Sequence, residues 1–430
     1  MGGHRRKFTA AARPPSIWDV DLLKQEFARL GADWRHGQAL LTYLAHHPEI
    51  TCWETVDWGA LKRKLPRKLQ DFLEEAFSVR STRLASRHDS SDGTTTKLVV
   101  ELRDGQEVEA VVMRHATLRS TRVTCCVSSQ VGCAMACSFC ATGTMGHRGD
   151  LSRGEIVEQV LMVRSLEPLT RNVVFMGMGE PLNNYESVVG ACRLLLDSQY
   201  LALKAGRVTV STVGIVERIV QLGRDEPRVG LALSLHAPDQ ATRVQIMPAA
   251  CGHSIDRVLD AVDAHVSLKL PSKTKGPLVM IEYILLGGCN DADADAEALG
   301  ELLKHRSPGR LMVNLIPYNP TPDLPYARPA EDRARAFQAV LTRRGLLCCV
   351  RKTMGSDVAG ACGQLLQKKR GAVDIEDAAG GPSAARRRPA RAVAAPRVAS
   401  PSRARERTAA ALALVGVGFA VAAAATASMG

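Results

Sequence analysis

A chain of 430 residues accommodates one large domain plus attachments, and 46% hydrophobic side chains with only 4% aromatics supply a sizeable core. No apolar N-terminal stretch marks a secretory signal, which sets aside a secreted, disulfide-framed protein and leaves the twelve cysteines as reduced thiols or metal ligands. The formal charge is +12, but eleven Lys or Arg against four Asp or Glu fall from Gln367 onward, so the body is only moderately basic, which suits contact with RNA without identifying it.

The first residues, "MGGHRRKFTAAARPPS", carry four basic side chains and no acid, and read as a frayed basic terminus over 1–15 or as an organellar leader. Residues 16–85 read as small amphipathic helices, "DVDLLKQEFARLG", "HGQALLTYLAHH" and "KLPRKLQDFLEEAF". Lys62, Arg63, Lys64, Arg67 and Lys68 lie among them, either as a solvated helix face or as an edge that contacts phosphates. Over 86–118, "KLVVELRDGQEVEAVVMRH" alternates about Asp104-Gly105 and predicts a β-hairpin.

From 119 to 366 strand-like runs alternate with helical ones. The strands are "RVTCCVSS", "NVVFMGMG", "RVTVSTVG", "VGLALSLH", "LVMIEYILL", "LMVNLIPY" and "LLCCVRK". Helical segments fall between them, such as "SRGEIVEQVLMVRS", which opens with a capping box from Ser152 to Glu155. Apolar parallel strands alternating with helices predict an α/β sheet or barrel with its chemistry at the C-terminal strand ends. Residues 367–408 are low-complexity and basic, the composition of a disordered tail. Residues 409–429 carry no charge, enough to span a bilayer as a tail anchor, although their alanine content also suits a non-spanning tail.

Cys133, Cys137 and Cys140 follow a C-x3-C-x2-C spacing in "CVSSQVGCAMACSFCATGTMG". Structural zinc takes four ligands, usually in C-x2-C pairs, and only His147 at an unusual spacing offers a fourth here. An iron–sulfur cubane held by three thiolates leaves one iron open to an outside ligand. Radical S-adenosylmethionine (SAM) enzymes require that opening, because the amino and carboxylate groups of SAM chelate the free iron. An electron from the cluster then splits the sulfonium to release a 5′-deoxyadenosyl radical. Phe139 before the last cysteine strengthens the pattern.

The sequence resembles the RlmN/Cfr-type radical SAM RNA adenine methyltransferases. The resemblance rests on the cysteine stretch and on "NVVFMGMGEPLNNY", "RVTVSTVGIV", "LALSLHAPD", "IMPA", "IEYILL", "NLIPYNP" and "VRKTMGSDVAGACGQL", in that order along the chain. It implies a partial (β/α)6-type radical SAM barrel with a small helical N-terminal accessory domain and a β-hairpin. Met354 stands where bacterial members commonly have arginine, and the "MG" sequence resembles plant and algal members.

The resemblance further implies a 4Fe-4S cluster on Cys133, Cys137 and Cys140, and SAM bound by Gly179, Glu180, Ser211, Ser234, Leu235, His236 and Asn319. Two SAM molecules serve each turnover. Cys362 becomes S-methylated, Cys126 resolves the adduct through a transient disulfide, and Glu109 accepts a proton. Cys125, Cys348 and Cys349 read as strand-core residues. The implied reaction is methylation of adenine carbon 2 in large ribosomal RNA, with transfer RNA a further candidate. The alternatives are carbon 8 methylation or a non-catalytic iron–sulfur RNA-binding protein. A flavodoxin or ferredoxin would donate electrons to a monomeric cytoplasmic or organellar enzyme.

Overall fold

The computed structural model describes residues 6, 12–116, 121–269, 276 and 278–365. The tail and the uncharged segment 409–429 lie outside these residues, and no described helix is long and apolar enough to cross a membrane.

The chain opens with helices α1 (Val20–Arg29), α2 (Trp34–His46) and α3 (Arg67–Ala76), followed by strands β1 (Arg83–Asp89), β2 (Thr95–Glu101) and β3 (Glu107–Ala116). The Asp104-Gly105 turn joins β2 to β3 as its sequence predicts, with Gly105 at φ +82°, where a side chain would be strained. Strand β1 is a difference from the sequence reading, which ran the helical region to 85. Its residues "RLASRHD" are charged and almost all exposed, so this edge strand lacks the alternation that would announce it.

Next come β4 (Thr121–Cys126), the short pair β5 (Gln130–Gly132) and β6 (His147–Asp150) with helix α4 (Ala141–Thr144) between them, then α5 (Arg153–Leu166) and β7 (Thr170–Phe175). The chain continues through α6 (Tyr185–Leu196), β8 (Val208–Thr212), α7 (Val216–Asp225), β9 (Gly230–Ser234), α8 (Gln240–Ile246) and α9 (Ile255–Leu268). It finishes with β10 (Val279–Leu285), α10 (Asp293–Leu303), β11 (Leu311–Pro317), α11 (Glu331–Arg343) and β12 (Leu347–Val350).

Ten strands form one sheet in the order β1-β2-β3-β4-β7-β8-β9-β10-β11-β12. The first four pair antiparallel, and from β4 onward every pairing is parallel. Helices return the chain between parallel neighbours, and the sheet stays open between β1 and β12. This is the partial-barrel α/β architecture the sequence implies. The capping box at the start of α5 is present in both directions, with Ser152 Oγ accepting from the Glu155 N–H and Glu155 accepting from the Ser152 N–H.

Register decides which side chains face the chamber inside the curved sheet. Val111 pairs with Cys126, and Val112 with Cys125. Neighbouring residues of a strand point to opposite faces, so Cys125 enters the fully buried core while Cys126 faces inward. The N-terminal helices share that core: Ile17, Trp18, Leu23 and Phe27 belong to one apolar cluster with Ile156, Val160 and Leu195.

A polar seam fastens the helical segment to α5. Buried Glu158 accepts the Ser81 N–H at 2.9 Å and the Thr82 N–H at 2.7 Å, and Asp19 accepts the Gly154 N–H at 2.7 Å. Replacing Glu158 by Ala leaves two buried donors unsatisfied, an expected loss of about 3 kcal/mol in urea unfolding. Glu158→Gln, which keeps one acceptor, should lose clearly less.

Candidate active site

The three spaced cysteines occupy an excursion between β5 and β6, whose short ladder closes both of its ends. Gly132, at φ +71°, runs so close to the Gly146 carbonyl that a Cβ there would stand 1.9 Å from its oxygen. Ala136 takes a left-handed φ of 51° inside the loop, and the Cys140 N–H donates to the Cys137 carbonyl at 3.1 Å. Cys133, Cys137 and Cys140 thereby line one cavity of about 160 Å³ at the C-terminal ends of the parallel strands.

Burial pushes all three thiols up, Cys133 to about 12, and the neighbouring charges of Glu180 and Cys140 add to its shift. Three adjacent buried thiols become thiolates only if cationic charge is supplied, which a metal centre does. Among the described residues no three His, Cys, Asp or Glu side chains converge tightly enough to share a single metal ion. The three thiols share one cavity wall, so a cluster bound there would meet all of them. His147 does not join them: its Nε2 lies 3.1 Å from Asp150 and 3.3 Å from the Gln130 amide, outside the cavity wall.

Gly179, Glu180, Ser211, Ser234 and His236 line the same cavity. Gly179 has φ +99°, and a Cβ would meet the Gln130 side chain at 2.5 Å, so the backbone passes where only glycine fits. The buried carboxylate of Glu180 accepts the Val213 N–H at 2.9 Å and the Leu182 N–H at 3.0 Å. Burial raises it to about 7 against those hydrogen bonds, so an arriving ammonium group would restore its charge. The Ser211 and Ser234 hydroxyls are 3.4 Å apart.

His236 is held in the left-handed region at φ 63° and stands edge-on to Phe139. Its Nδ1 accepts the Ile284 N–H at 3.1 Å, which assigns the ring proton to Nε2. Burial, with help from nearby Arg243, lowers the imidazole to about 3, so it is neutral. Leu235 is outside the wall and acts through its backbone, donating to Glu282 O and accepting from Arg243 Nε.

An adjoining cleft is lined by Cys126, Met176, Asn319, Arg351, Met354 and Cys362, and Cys362 and Arg351 also face the cluster cavity. Cys362 arrives there because its segment is tied to the cysteine loop. Ala141 N–H donates to Gly363 O at 2.8 Å and Thr142 Oγ1 to Leu365 O at 2.7 Å, while the Asn319 amide reaches Cys362 O at 3.5 Å. Burial and the neighbouring Cys362 push Cys126 up to about 12, so it rests as a thiol. Glu109 is not among the residues that line this cleft; it lies on the same face of β3 as the lining residue Val111 and pairs with Lys97 at 3.0 Å.

Two wall residues escaped sequence reasoning. Arg351 is raised chiefly by the charge of Cys362, with Glu282, Cys126 and Cys349 acting in the same direction against burial. Glu282 lies nearby, a lone acid inside the apolar run "VMIEYIL", and that interruption was its signal. One Glu282 oxygen accepts from Asn314 Nδ2 at 2.7 Å, and Asn314 in turn accepts from Cys349 Sγ at 3.3 Å. Cys349 therefore faces the barrel interior rather than the strand core expected for it, whereas Cys348 packs against the core.

The Radical SAM superfamily matches residues 127–299. A dual-specificity RNA methyltransferase RlmN of Solidesulfovibrio magneticus is 43% identical over 305 residues, 70% of this chain and 83% of the relative. The chain belongs to the RlmN family of radical SAM methyltransferases. A probable RlmN 1 of Opitutus terrae is 40% identical over 366 residues, covering 83% of this chain and 97% of its own. A solved radical SAM methyltransferase from Sphaerobacter thermophilus superposes with a TM-score of 0.71 at 35% identity, covering 82% of this chain and 99% of that one. Family membership implies SAM and a 4Fe-4S cluster, and the three-thiol cavity with its buried Glu180 carboxylate fits both.

Replacing Cys133, Cys137 or Cys140 singly by Ala should abolish the visible absorption and most of the iron of anaerobically reconstituted protein. His147→Ala should retain both. Stoichiometric zinc in colourless wild-type protein would contradict the assignment.

Proposed function

We propose that this enzyme methylates carbon 2 of adenine in RNA, with large ribosomal RNA as substrate and transfer RNA as a second candidate. The observation that carries the reading is the facing of Cys126 and Cys362 across one cleft, with Cys362 also open to the cluster cavity. Carbon 2 is an electron-poor sp2 carbon without a lone pair, so it does not attack a methyl sulfonium. A sulfur on the protein does. A bound cluster and two SAM molecules supply one electron, the methyl group and radical hydrogen abstraction at that methyl, with a flavodoxin- or ferredoxin-type protein as electron source.

The chain's own residues divide the remaining work. Cys362 is the methyl acceptor: its sulfur bonds the methyl carbon as the sulfonium bond of SAM breaks. Arg351 lines the same cleft, placed to offset negative charge on the Cys362 sulfur as it reacts. Cys126, kept a thiol by burial, does not compete at this stage. Once the Cys362 methyl carbon is bonded to adenine, the adduct gives up its unpaired electron to the redox partner and Glu109 takes the carbon 2 proton. Cys126 then attacks the Cys362 sulfur, and the S–S bond forms as the sulfur–carbon bond breaks, with the Cys126 thiol proton passing to the departing carbon to complete the methyl group. An external dithiol then reduces the disulfide for the next turnover. Gly179, Glu180, Ser211, Ser234, His236 and the Leu235 backbone shape the SAM site, and Asn319 holds the Cys362 carbonyl.

Anaerobic reaction with SAM, reductant and RNA, followed by nucleoside mass spectrometry, tests the proposal. The expected product is 2-methyladenosine; 8-methyladenosine, or SAM cleavage with no methylated base, would overturn it. Cys362→Ala should give no product, whereas Cys126→Ala should accumulate a covalent protein–RNA adduct on denaturing gels.

A further inference from the structure

The barrel interior has a second opening that the assigned site does not use. At the N-terminal ends of β4, β7 and β8 a cavity of about 400 Å³ runs inward from His115, Arg122, Asn172 and Arg207. Its deeper wall carries Met113, Met176 and Arg351, and the Cys126–Cys362 cleft shares these three together with the exposed Lys352. Two cavities with four common wall residues adjoin one another inside the sheet, and a passage between them would run past those side chains.

The lining is graded along that passage. Strands β3 and β4 supply in-register pairs: His115 opposite Arg122 at the mouth, Met113 opposite Thr124 below, then Val111 opposite Cys126. Arg122, Arg207 and Lys352 are exposed, His115 is half-buried, and Glu282, deep inside, is the single acid among the lining residues. Arg207 donates to the Asn172 side chain at 3.1 Å, which orients its guanidinium at the rim. A cationic rim leading to thioethers and side-chain amides matches a nucleotide: phosphates outside, a flat polarisable base within, and base edges met by Asn172 and Asn314.

At the opposite end of the barrel the cysteine loop and residues 361–365 are hydrogen-bonded together over the C-terminal strand ends, beside the cavity that suits SAM and the cluster. We propose that the target adenosine, unstacked from its neighbours, enters the barrel from the N-terminal strand ends through this basic mouth. Arg122 and Arg207, flanked by His115 and Lys352, hold the adjoining phosphates, while the base passes Met113 and Met176 to reach Cys362. Extruding a nucleotide into an enclosed pocket costs unstacking, which phosphate contacts at the rim offset. The route rests on the reading of adenine in RNA as the substrate.

The test uses the reconstituted full chain, SAM, and in vitro transcribed large-subunit ribosomal RNA. Arg122→Gln/Arg207→Gln and the charge-reversed Arg122→Glu/Arg207→Glu are compared with wild type, with iron content and circular dichroism as controls for folding. The KM for RNA should rise about tenfold or more, further for the glutamates, while the slope of log affinity against log salt falls by about 0.7 per lost phosphate contact. Wild-type enzyme that methylates no RNA defeats the functional reading itself. Wild-type methylation alongside folded double variants with unchanged KM and salt slope defeats the route alone. The route fails equally if Lys64→Glu/Lys68→Glu, on the helical edge, takes the whole loss instead.

Discussion

Two hydrogen bonds carry the architecture of this site: Ala141 N–H to Gly363 O and the Thr142 hydroxyl to Leu365 O. The first four N–H groups of a helix lack intrahelical partners, and a buried one must find an acceptor elsewhere. Helix α4 begins immediately after Cys140, so the acceptor that satisfies its first N–H also fixes what lies beside the cluster cysteines. The C-terminal segment supplies that acceptor, and Cys362 travels with it. A sulfur more than two hundred residues from Cys133 in the chain thus stands on the same cavity.

Around that fixed point burial suppresses charge. It keeps the cysteine loop as thiols, brings Glu180 to about 7 and holds His236 neutral. A cationic neighbour arriving beside Glu180 or the thiols favours their ionised forms, so cofactor binding and ionisation are coupled there. Arg351 is the exception, a half-buried cation placed among Cys126, Cys349, Cys362 and Glu282 before any ligand is present. Its position between the two cavities makes it the common counter-charge for chemistry on either side.

The alternation of apolar strands with helices was legible because parallel strands buried on both faces read as continuous apolar runs. The cysteine triad, Glu180, Cys126 and Cys362, singled out by motif spacing and family resemblance, are residues that the fold gathers on two adjoining cavities. Strand β1 was not legible, because an exposed charged edge carries no apolar period. The roles of Arg351 and Glu282 depend on which strands become neighbours: Glu282 pairs in register with Asn314 and Asn314 with Cys349, a row assembled from three separate strands. Cys349 illustrates the same limit, since a one-residue difference in facing separates a core thiol from a chamber thiol. The resemblance assigns Asn319 and Leu235 to SAM, and the fold sets Asn319 at the adjoining cleft and Leu235 behind the cavity wall.

The central claim is that Cys362 is the sulfur that receives the methyl group. Reconstituted enzyme incubated with methyl-labelled SAM in the absence of RNA, then digested and analysed by peptide mass spectrometry, tests it most directly. One labelled methyl group on the Cys362 peptide, and on no other cysteine, is the predicted result. A label on Cys126 or Cys349, or an unmodified Cys362 in enzyme that still methylates RNA, would contradict it.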